Sequence, residues 1–410
     1  MPALTLTAIL ATFCLLLPPQ LVLVSKAVVP LSLIATAVAY GTILYRRLDW
    51  PALPDKAVTI CLLTLFGWGL VATSWSHDIA EAIGLALRIT AMTVAGLLLL
   101  AVAAGLDRDA RKKIQPWIIG GFVAGLAILA LERGLGQPLY MAFAEYDTKQ
   151  TLLSRLNRGA TAMAILVWPI TGLLFRGRVG AWALLLPVAL FVLLCFLESQ
   201  AALLGFLLAG TFGILALLHR QAGRVLSTTV VVAVALFSPL AARWFHRSGL
   251  ADSAWLDFSG RQRIEIWNFA AERIAERPIF GWGFDAADAM RRQFADTIGN
   301  VAAMMPNHPH NAALQIWLEL GLIGVALFLA LLLILIWRID KLPKVERVAA
   351  QCAFISSLAI ALVGYGTWQS EWIAALFGVA MTVILCRDGS GKQSEAPGRE
   401  RVTEGNAEPG

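Results

Sequence analysis

The chain has 410 residues, of which 58% are hydrophobic and only 15% charged, and its mean hydropathy is +0.71. A soluble domain carries about 25% charged residues. This composition, with apolar runs of about 20 residues along the whole length, excludes that class and marks an all-α polytopic membrane protein. The net charge of +6 therefore does not point to nucleic acid, because in a membrane protein the placement of Lys and Arg matters more than their sum.

In chain order the apolar runs predict twelve spans, at 3–17, 21–45, 56–73, 81–104, 114–131, 159–175, 180–197, 200–218, 225–242, 312–337, 345–366 and 371–386. Pro18-Pro19 divides the first two. The first run has no basic segment before it and a second span follows at once, so it reads as a retained helix, not a signal peptide. Cys14, Cys61, Cys195, Cys352 and Cys386 all lie inside apolar runs with no metal or disulfide spacing, which suits inert buried thiols.

Loop charge orients these spans. With the N-terminus in the cytoplasm, the inner loops are "RRLDWPALPDK", "DRDARKK", "RGR", "RQAGR" and "RIDKLPKVER", each with two to four Lys or Arg. The outer turns "SWSHD", "ESQ" and "GTWQS" have none. This bias places both termini in the cytoplasm. The chain divides into 1–242 with nine spans, a large outer loop at 243–311, three spans in 312–386, and a tail at 387–410 that is too polar to fold.

Two outer segments are long, Glu132 to Arg158 and Arg243 to Asn311. In the second, Ile264, Trp267, Ala271, Ile274 and Ala275 recur at helical spacing, predicting a partly amphipathic helix that ends at Pro278 and a Gly281/Gly283 turn. The segment has eight Arg, eight acids and no Lys. It is either a solvated, salt-bridged loop or one whose Arg residues grip carboxylate or phosphate bidentately.

Several polar residues need an explanation. Arg88 sits about two turns inside the fourth span, where it either snorkels outward, pairs with Glu81, or lines a cavity for an anion. Arg155 and Arg158, three apart on one helical face, are interface anchors or phosphate ligands, with Asn157 as a candidate cap. Glu198, Ser199 and Gln200 form a short outer turn, and Glu198 can orient an Arg. "HPHN" puts His308, Pro309, His310 and Asn311 at the mouth of the tenth span. Pro309 suits a first turn, with Asn307 or His308 as cap and His310 and Asn311 following inside that turn. The positive helix end keeps a histidine neutral and attracts an anion such as diphosphate. A metal site is the rival reading, with Asp285 and Asp288 as recruits, but two His alone make a poor zinc site. Glu319, two turns down the same span, must face the interior and pair, with an outer Arg the expected partner. Gly321 and Gly324 suggest close helix packing.

Taken together, Arg263-x-x-x-Trp267, "RPIFGWGF" and "HPHNAALQIWLELGLIG", in a large outer loop followed by a span, resemble the O-antigen ligase/polymerase superfamily of bacterial envelope proteins. The resemblance in sequence covers residues 155–200 and 260–324; in topology it covers most of the chain. It implies a GT-C-like, metal-independent and cofactor-free glycosyltransferase of the inner membrane with a periplasmic active site. Such an enzyme moves a glycan from undecaprenyl diphosphate to an acceptor, in the ligase branch a sugar of lipid A–core. His310 matches the family's essential His and Arg263 its loop Arg. Many members have Ser-Arg where this chain has Ser199-Gln200, so Arg155 or Arg158 is the candidate to replace that Arg. Neutral His310 suits a general base for a sugar hydroxyl. Arg88, Arg155, Arg158 and Arg263 suit the diphosphate, with Glu319 as a third catalytic candidate. Asn311, His308, Trp267, Glu198 and Gln200 are supporting candidates. Trp255, Trp267, Trp282 and Trp368 on outer segments either stack on sugars or anchor at the interface. An O-antigen polymerase, a protein O-oligosaccharyltransferase and a lipid-linked glycan transporter remain alternatives.

Overall fold

A computed structural model of the chain describes residues 5–143, 149–254, 256–294 and 308–387. Trp255, Asn307 and the tail from residue 388 lie outside the described residues. Within them all regular structure is helical. The helices are α1 (Leu6–Leu23), α2 (Val28–Tyr45), α3 (Lys56–Ala72), α4 (Ile79–Gly105), α5 (Arg108–Gly134), α6 (Pro138–Phe143) and α7 (Lys149–Arg176). They continue with α8 (Leu185–Cys195), α9 (Gln200–Leu218), α10 (Arg220–Arg247), α11 (Phe258–Glu276) and α12 (Ala286–Phe294). The last three are α13 (Ala312–Asp340), α14 (Lys344–Ala361) and α15 (Ser370–Leu385).

Each of the twelve expected spans falls on a helix. Nine helices among the described residues are long and apolar enough to cross a membrane. The other three are α8 and α15, which are shorter, and α14, which opens with Lys344, Glu346 and Arg347.

The expected break at Pro18-Pro19 is absent: α1 runs through both prolines to Leu23. Two prolines remove two N–H donors, which leaves the carbonyls of Cys14 and Leu15 without their helical partners. Gly121 of α5 packs against both. A Cβ there would lie 2.5 Å from the Cys14 oxygen and 2.7 Å from that of Leu15, so only glycine lets the neighbouring helix cover them, through weak Cα–H···O contacts. The helix that carries the sixth span also starts earlier than the expected span, at Lys149. Asn157 is therefore interior to α7 and caps nothing.

Helix α11 forms where the apolar spacing predicts it. Asp257 caps it, accepting from Gly260 N at 2.7 Å, and it stops before Pro278, whose ring disfavours helix in the preceding residue. Ile266, Phe269 and Ile274 pack with Ala242 of α10 and Leu314 and Leu318 of α13. Helix α11 is thus seated on the spans.

Gly321 packs not against another helix but against the Ile279–Gly281 backbone. It breaks α13, with φ 64° and ψ −162°, a conformation essentially restricted to glycine. The "RPIFGWGF" segment satisfies the groups this break releases. Trp282 N donates to Leu318 O at 2.8 Å and Gly283 N to Glu319 O at 3.0 Å, while Leu322 N donates to Pro278 O at 2.9 Å. Trp68 Nε1 completes the set on Leu320 O at 3.1 Å. Gly281, at φ 71°, is required by this fit: its Cβ would lie 2.6 Å from the Glu319 carbonyl.

Candidate functional site

The broken α13 begins at the histidines. Asn311 is its N-cap, accepting from Leu314 N at 3.1 Å. This corrects the expectation that Pro309 opens the helix under a His308 or Asn307 cap. An Asn side chain reaches the third amide of the turn and wins the cap position, which leaves His310 just outside the helix.

His310 has φ 52°, a left-handed conformation that costs a non-glycine residue on the order of 1–3 kcal/mol and persists only where its surroundings impose it. Three contacts impose it. Trp267 Nε1 of α11 donates to Pro309 O at 2.9 Å. His310 N donates to His308 Nδ1 at 3.2 Å. His310 Nδ1 stands 3.4 Å from the carbonyl of Gly364. That last contact favours the Nδ1–H tautomer and leaves Nε2 as the acceptor nitrogen.

His308 is buried. Because its Nδ1 accepts, its Nε2 carries the proton, and Gln369, 3.0 Å away, must turn its amide oxygen to the ring. Gly366 lies flat against the same ring, its Cβ position only 2.6 Å away. Burial and then the adjacent His310 push His308 down to about 3. Burial, followed by the nearby Arg263 charge, also lowers His310, against a smaller opposing effect of the Gly364 carbonyl. Both imidazoles are therefore neutral at neutral pH. Arg263 is itself pulled below its ordinary value by burial, opposed by Asp257. It stays a cation, since a guanidinium does not lose its proton in a protein.

Among the described residues Glu319 finds no Arg. It is fully buried in α13, and its carboxylate accepts from Gln315 Nε2 at 2.9 Å, Trp368 Nε1 at 2.6 Å and Asp285 N at 3.0 Å. Gln315 Oε1 in turn accepts from Thr367 N at 2.8 Å. An apolar span supplies donors more cheaply as neutral amides and an indole than as a second buried charge. Trp368, expected as an anchor or sugar platform, is spent on this contact. Trp282 donates to Arg273 O at 2.8 Å, with the Arg277 guanidinium 4.1 Å from its ring centre. Among the described residues no group of three His, Cys, Asp or Glu is arranged to hold a metal ion.

Gln200 joins the site through Asp257, to which its amide donates at 3.2 Å. Arg158 joins through an open cleft between α1, α7 and α15, lined by Ser25, Arg158, Thr161, Tyr365, Glu371 and apolar residues including Leu21, Ile165 and Val379. Arg158 reaches Ser25 Oγ at 3.1 Å and Glu371 at 3.8 Å, and Thr161 Oγ1 meets the Tyr365 hydroxyl at 2.8 Å. Tyr365 sits between the two glycines that hold the histidines, so cleft and histidines share one loop. Arg88, Arg155 and Glu198 lie exposed on α4, α7 and the 198–200 turn, and no described contact joins them to His310.

The loop from Gly364 to Gln369 was not anticipated as part of the site, nor were Gln315 and Asp257. Two signals were available: glycines on both sides of Tyr365, and Gln315 with Glu319 at i, i+4 on one face of an apolar span.

Residues 183–329 match the family model described as O-antigen ligase. A Rickettsia bellii protein named "putative polysaccharide ligase" is 32% identical over 281 residues, covering 67% of this chain and 68% of that protein. Proteins of the same name from Rickettsia typhi and Rickettsia prowazekii are 31% and 32% identical over 266 residues, covering 62% of this chain. The chain spans 65% of the length of each of these two.

Proposed function

The chain belongs to the O-antigen ligase family, and from that premise we propose that it transfers a glycan from undecaprenyl diphosphate to a sugar hydroxyl of lipid A–core, at the periplasmic face of the inner membrane. The observation that carries this reading is a neutral His310, held in a left-handed conformation near the half-buried Arg263 cation, on the same loop as a cleft that has Arg158 and Glu371 at its mouth and is apolar within. That combination fits a donor with a long lipid, a diphosphate and a sugar chain.

In this mechanism His310 Nε2 takes the proton of the acceptor hydroxyl as its oxygen attacks the anomeric carbon. The bond from that carbon to the diphosphate oxygen breaks, and undecaprenyl diphosphate leaves with the electron pair. In-line attack inverts the anomeric centre. Arg263 stabilises charge growing on the leaving group from a site that is already desolvated, and Arg158 holds the diphosphate at the cleft mouth. No metal is needed, because the two guanidinium groups meet the leaving charge. Glu319, buried beneath the loop, acts as a positioning residue.

The test is reconstitution with labelled undecaprenyl-diphosphate glycan and three acceptors in parallel: lipid A–core, a second lipid-linked glycan, and protein. Label should move to lipid A–core. His310→Ala should lower the rate by a factor on the order of 100 to 10,000, the usual worth of a general base, without changing detergent-solubilised yield. Full activity in that variant would sink the mechanism, and transfer to the second lipid-linked glycan instead would make the protein a polymerase.

A further inference from the structure

The segment from Glu132 to Arg158 contributes Arg158 to the transfer mechanism, and its other end is tied to the same cleft. Glu132, in the last turn of α5, is fully buried, a position that is costly for a carboxylate unless it is hydrogen-bonded. Its two oxygens accept from Leu139 N at 2.9 Å and from Tyr140 N at 3.2 Å. Its carbonyl accepts from Gln137 N at 2.8 Å. Side chain and backbone of one residue thereby hold the turn into α6 and set the place of Tyr140.

The Tyr140 hydroxyl donates to the carbonyl of Val22, one of the last carbonyls of α1, which find no partner within the helix. Helix α7 seats Val22 from a second side. A Cβ on Gly159 would lie 2.9 Å from Val22 Cα, so the end of α1 rests on the residue next to Arg158. Three residues after Val22, Ser25 Oγ accepts from Arg158 at 3.1 Å. A continuous chain of contacts thus runs from Glu132 through Tyr140, Val22 and Ser25 to Arg158. It matters because the Arg158 side chain is 42% exposed, so packing does not fix its guanidinium. An arginine left to its rotamers gives up that freedom when it takes a ligand, and holding it beforehand removes this cost.

We propose that Glu132 and Tyr140 are positioning residues for donor binding: they fix the end of α1 and, through Ser25, hold the Arg158 guanidinium at the cleft mouth. This rests on the assignment of the donor diphosphate to Arg158. Neither residue touches the donor, and both act on its affinity through Arg158.

Steady-state transfer by the full chain, with undecaprenyl-diphosphate glycan varied and the acceptor saturating, tests this. Arg158→Gln should raise the donor KM at least about tenfold, the worth of a hydrogen bond to a charged group. Tyr140→Phe removes one hydroxyl and keeps the ring. It should raise the donor KM about fivefold, the worth of one neutral hydrogen bond, and leave kcat within about twofold. Added to Arg158→Gln, it should change almost nothing further, because the side chain it positions is gone. A residue that only stabilised the fold would act equally in both backgrounds. Ser25→Ala breaks the chain one step from Arg158, leaves Glu132 and Tyr140 in place, and should reproduce the rise in donor KM. Monodisperse elution checks that each variant folds, and Ser25→Ala carries the test if Tyr140→Phe does not. A wild-type donor KM in Tyr140→Phe or Ser25→Ala, a fall in kcat in place of the rise in KM, or an undiminished Tyr140→Phe effect on top of Arg158→Gln would each overturn the proposal and leave the diphosphate assignment standing. A wild-type donor KM in Arg158→Gln would remove that assignment and the proposal with it.

Discussion

Glu319→Gln is the sharpest test of how the site is held, because it preserves shape and removes only one acceptor. In the native protein both carboxylate oxygens accept: one from Gln315, the other from Trp368 and Asp285 N. A glutamine offers one oxygen and one NH₂ group. If its oxygen faces Trp368 and Asp285, its NH₂ group meets that of Gln315. Turning Gln315 over relieves this conflict but points the Gln315 NH₂ group at Thr367 N, which now donates to Gln315 Oε1. Every arrangement therefore leaves one buried donor facing another. Losing a hydrogen bond to a charged group and stranding a buried donor should together cost about 2–4 kcal/mol. Glu319→Ala strands three donors and opens a cavity, so its cost should be larger. Equilibrium or thermal unfolding in detergent measures the loss, and transfer activity should fall with it, since Trp368 and Thr367 lie on the loop whose Gly364 carbonyl holds His310. A Glu319→Gln protein as stable as the wild type would refute the hydrogen-bond assignment, because it would mean the carboxyl is not acting as a double acceptor.

Other consequences can be checked separately. Gly321→Ala places a Cβ 2.2 Å from the Ile279 carbonyl in a glycine-only conformation, and the conformational penalty and clash should together cost at least about 3 kcal/mol; a normal melting temperature would contradict the break in α13. Because burial and Arg263 both lower the His310 pKa, the neutral base should persist below pH 6.5, so the acidic limb of kcat/KM lies under that value. Arg263→Gln removes only the second cause, so the limb should move up in pH while the rate falls; an unmoved limb would separate Arg263 from His310. Trp267→Phe loses the bond to Pro309 O, and should cost about 1 kcal/mol and lower kcat more than KM, read from steady-state transfer. His308, at about 3 when folded against about 6.5 unfolded, makes the protein fully stable above pH 6.5 and increasingly unstable as pH falls towards 3. The slope is at most about 1.4 kcal/mol per pH unit, and urea unfolding of His308→Gln should show a shallower acid dependence.

Helices were legible from the residues because the signal is local. An apolar run of span length states its own conformation. Three of the misread points share another origin: each is decided by a partner far away in sequence. Pro18-Pro19 reads as a break until Gly121, about a hundred residues on, covers the freed carbonyls. Gly321 reads as a packing residue until "RPIFGWGF" supplies donors to the broken helix. Glu319 reads as half of an ion pair until Trp368 and Gln315 supply neutral donors.

The same contrast explains which site residues could be named in advance. His310 and Arg263 are conspicuous because their chemistry is costly in an apolar chain, and a costly residue invites a functional reason. The residues that aim them are cheap: a carbonyl of Gly364, an indole of Trp267, an amide of Gln369. No spacing rule marks these, since they act through a backbone carbonyl, an indole N–H and a side-chain amide oxygen. The left-handed backbone of His310 is where the two kinds meet. Its strain is sustained by Trp267 from the outer loop and by Gly364 from the turn between the last two spans. The base is therefore in place only when the outer loop is seated on the membrane helices, and any change that unseats α11 should silence His310 without touching it.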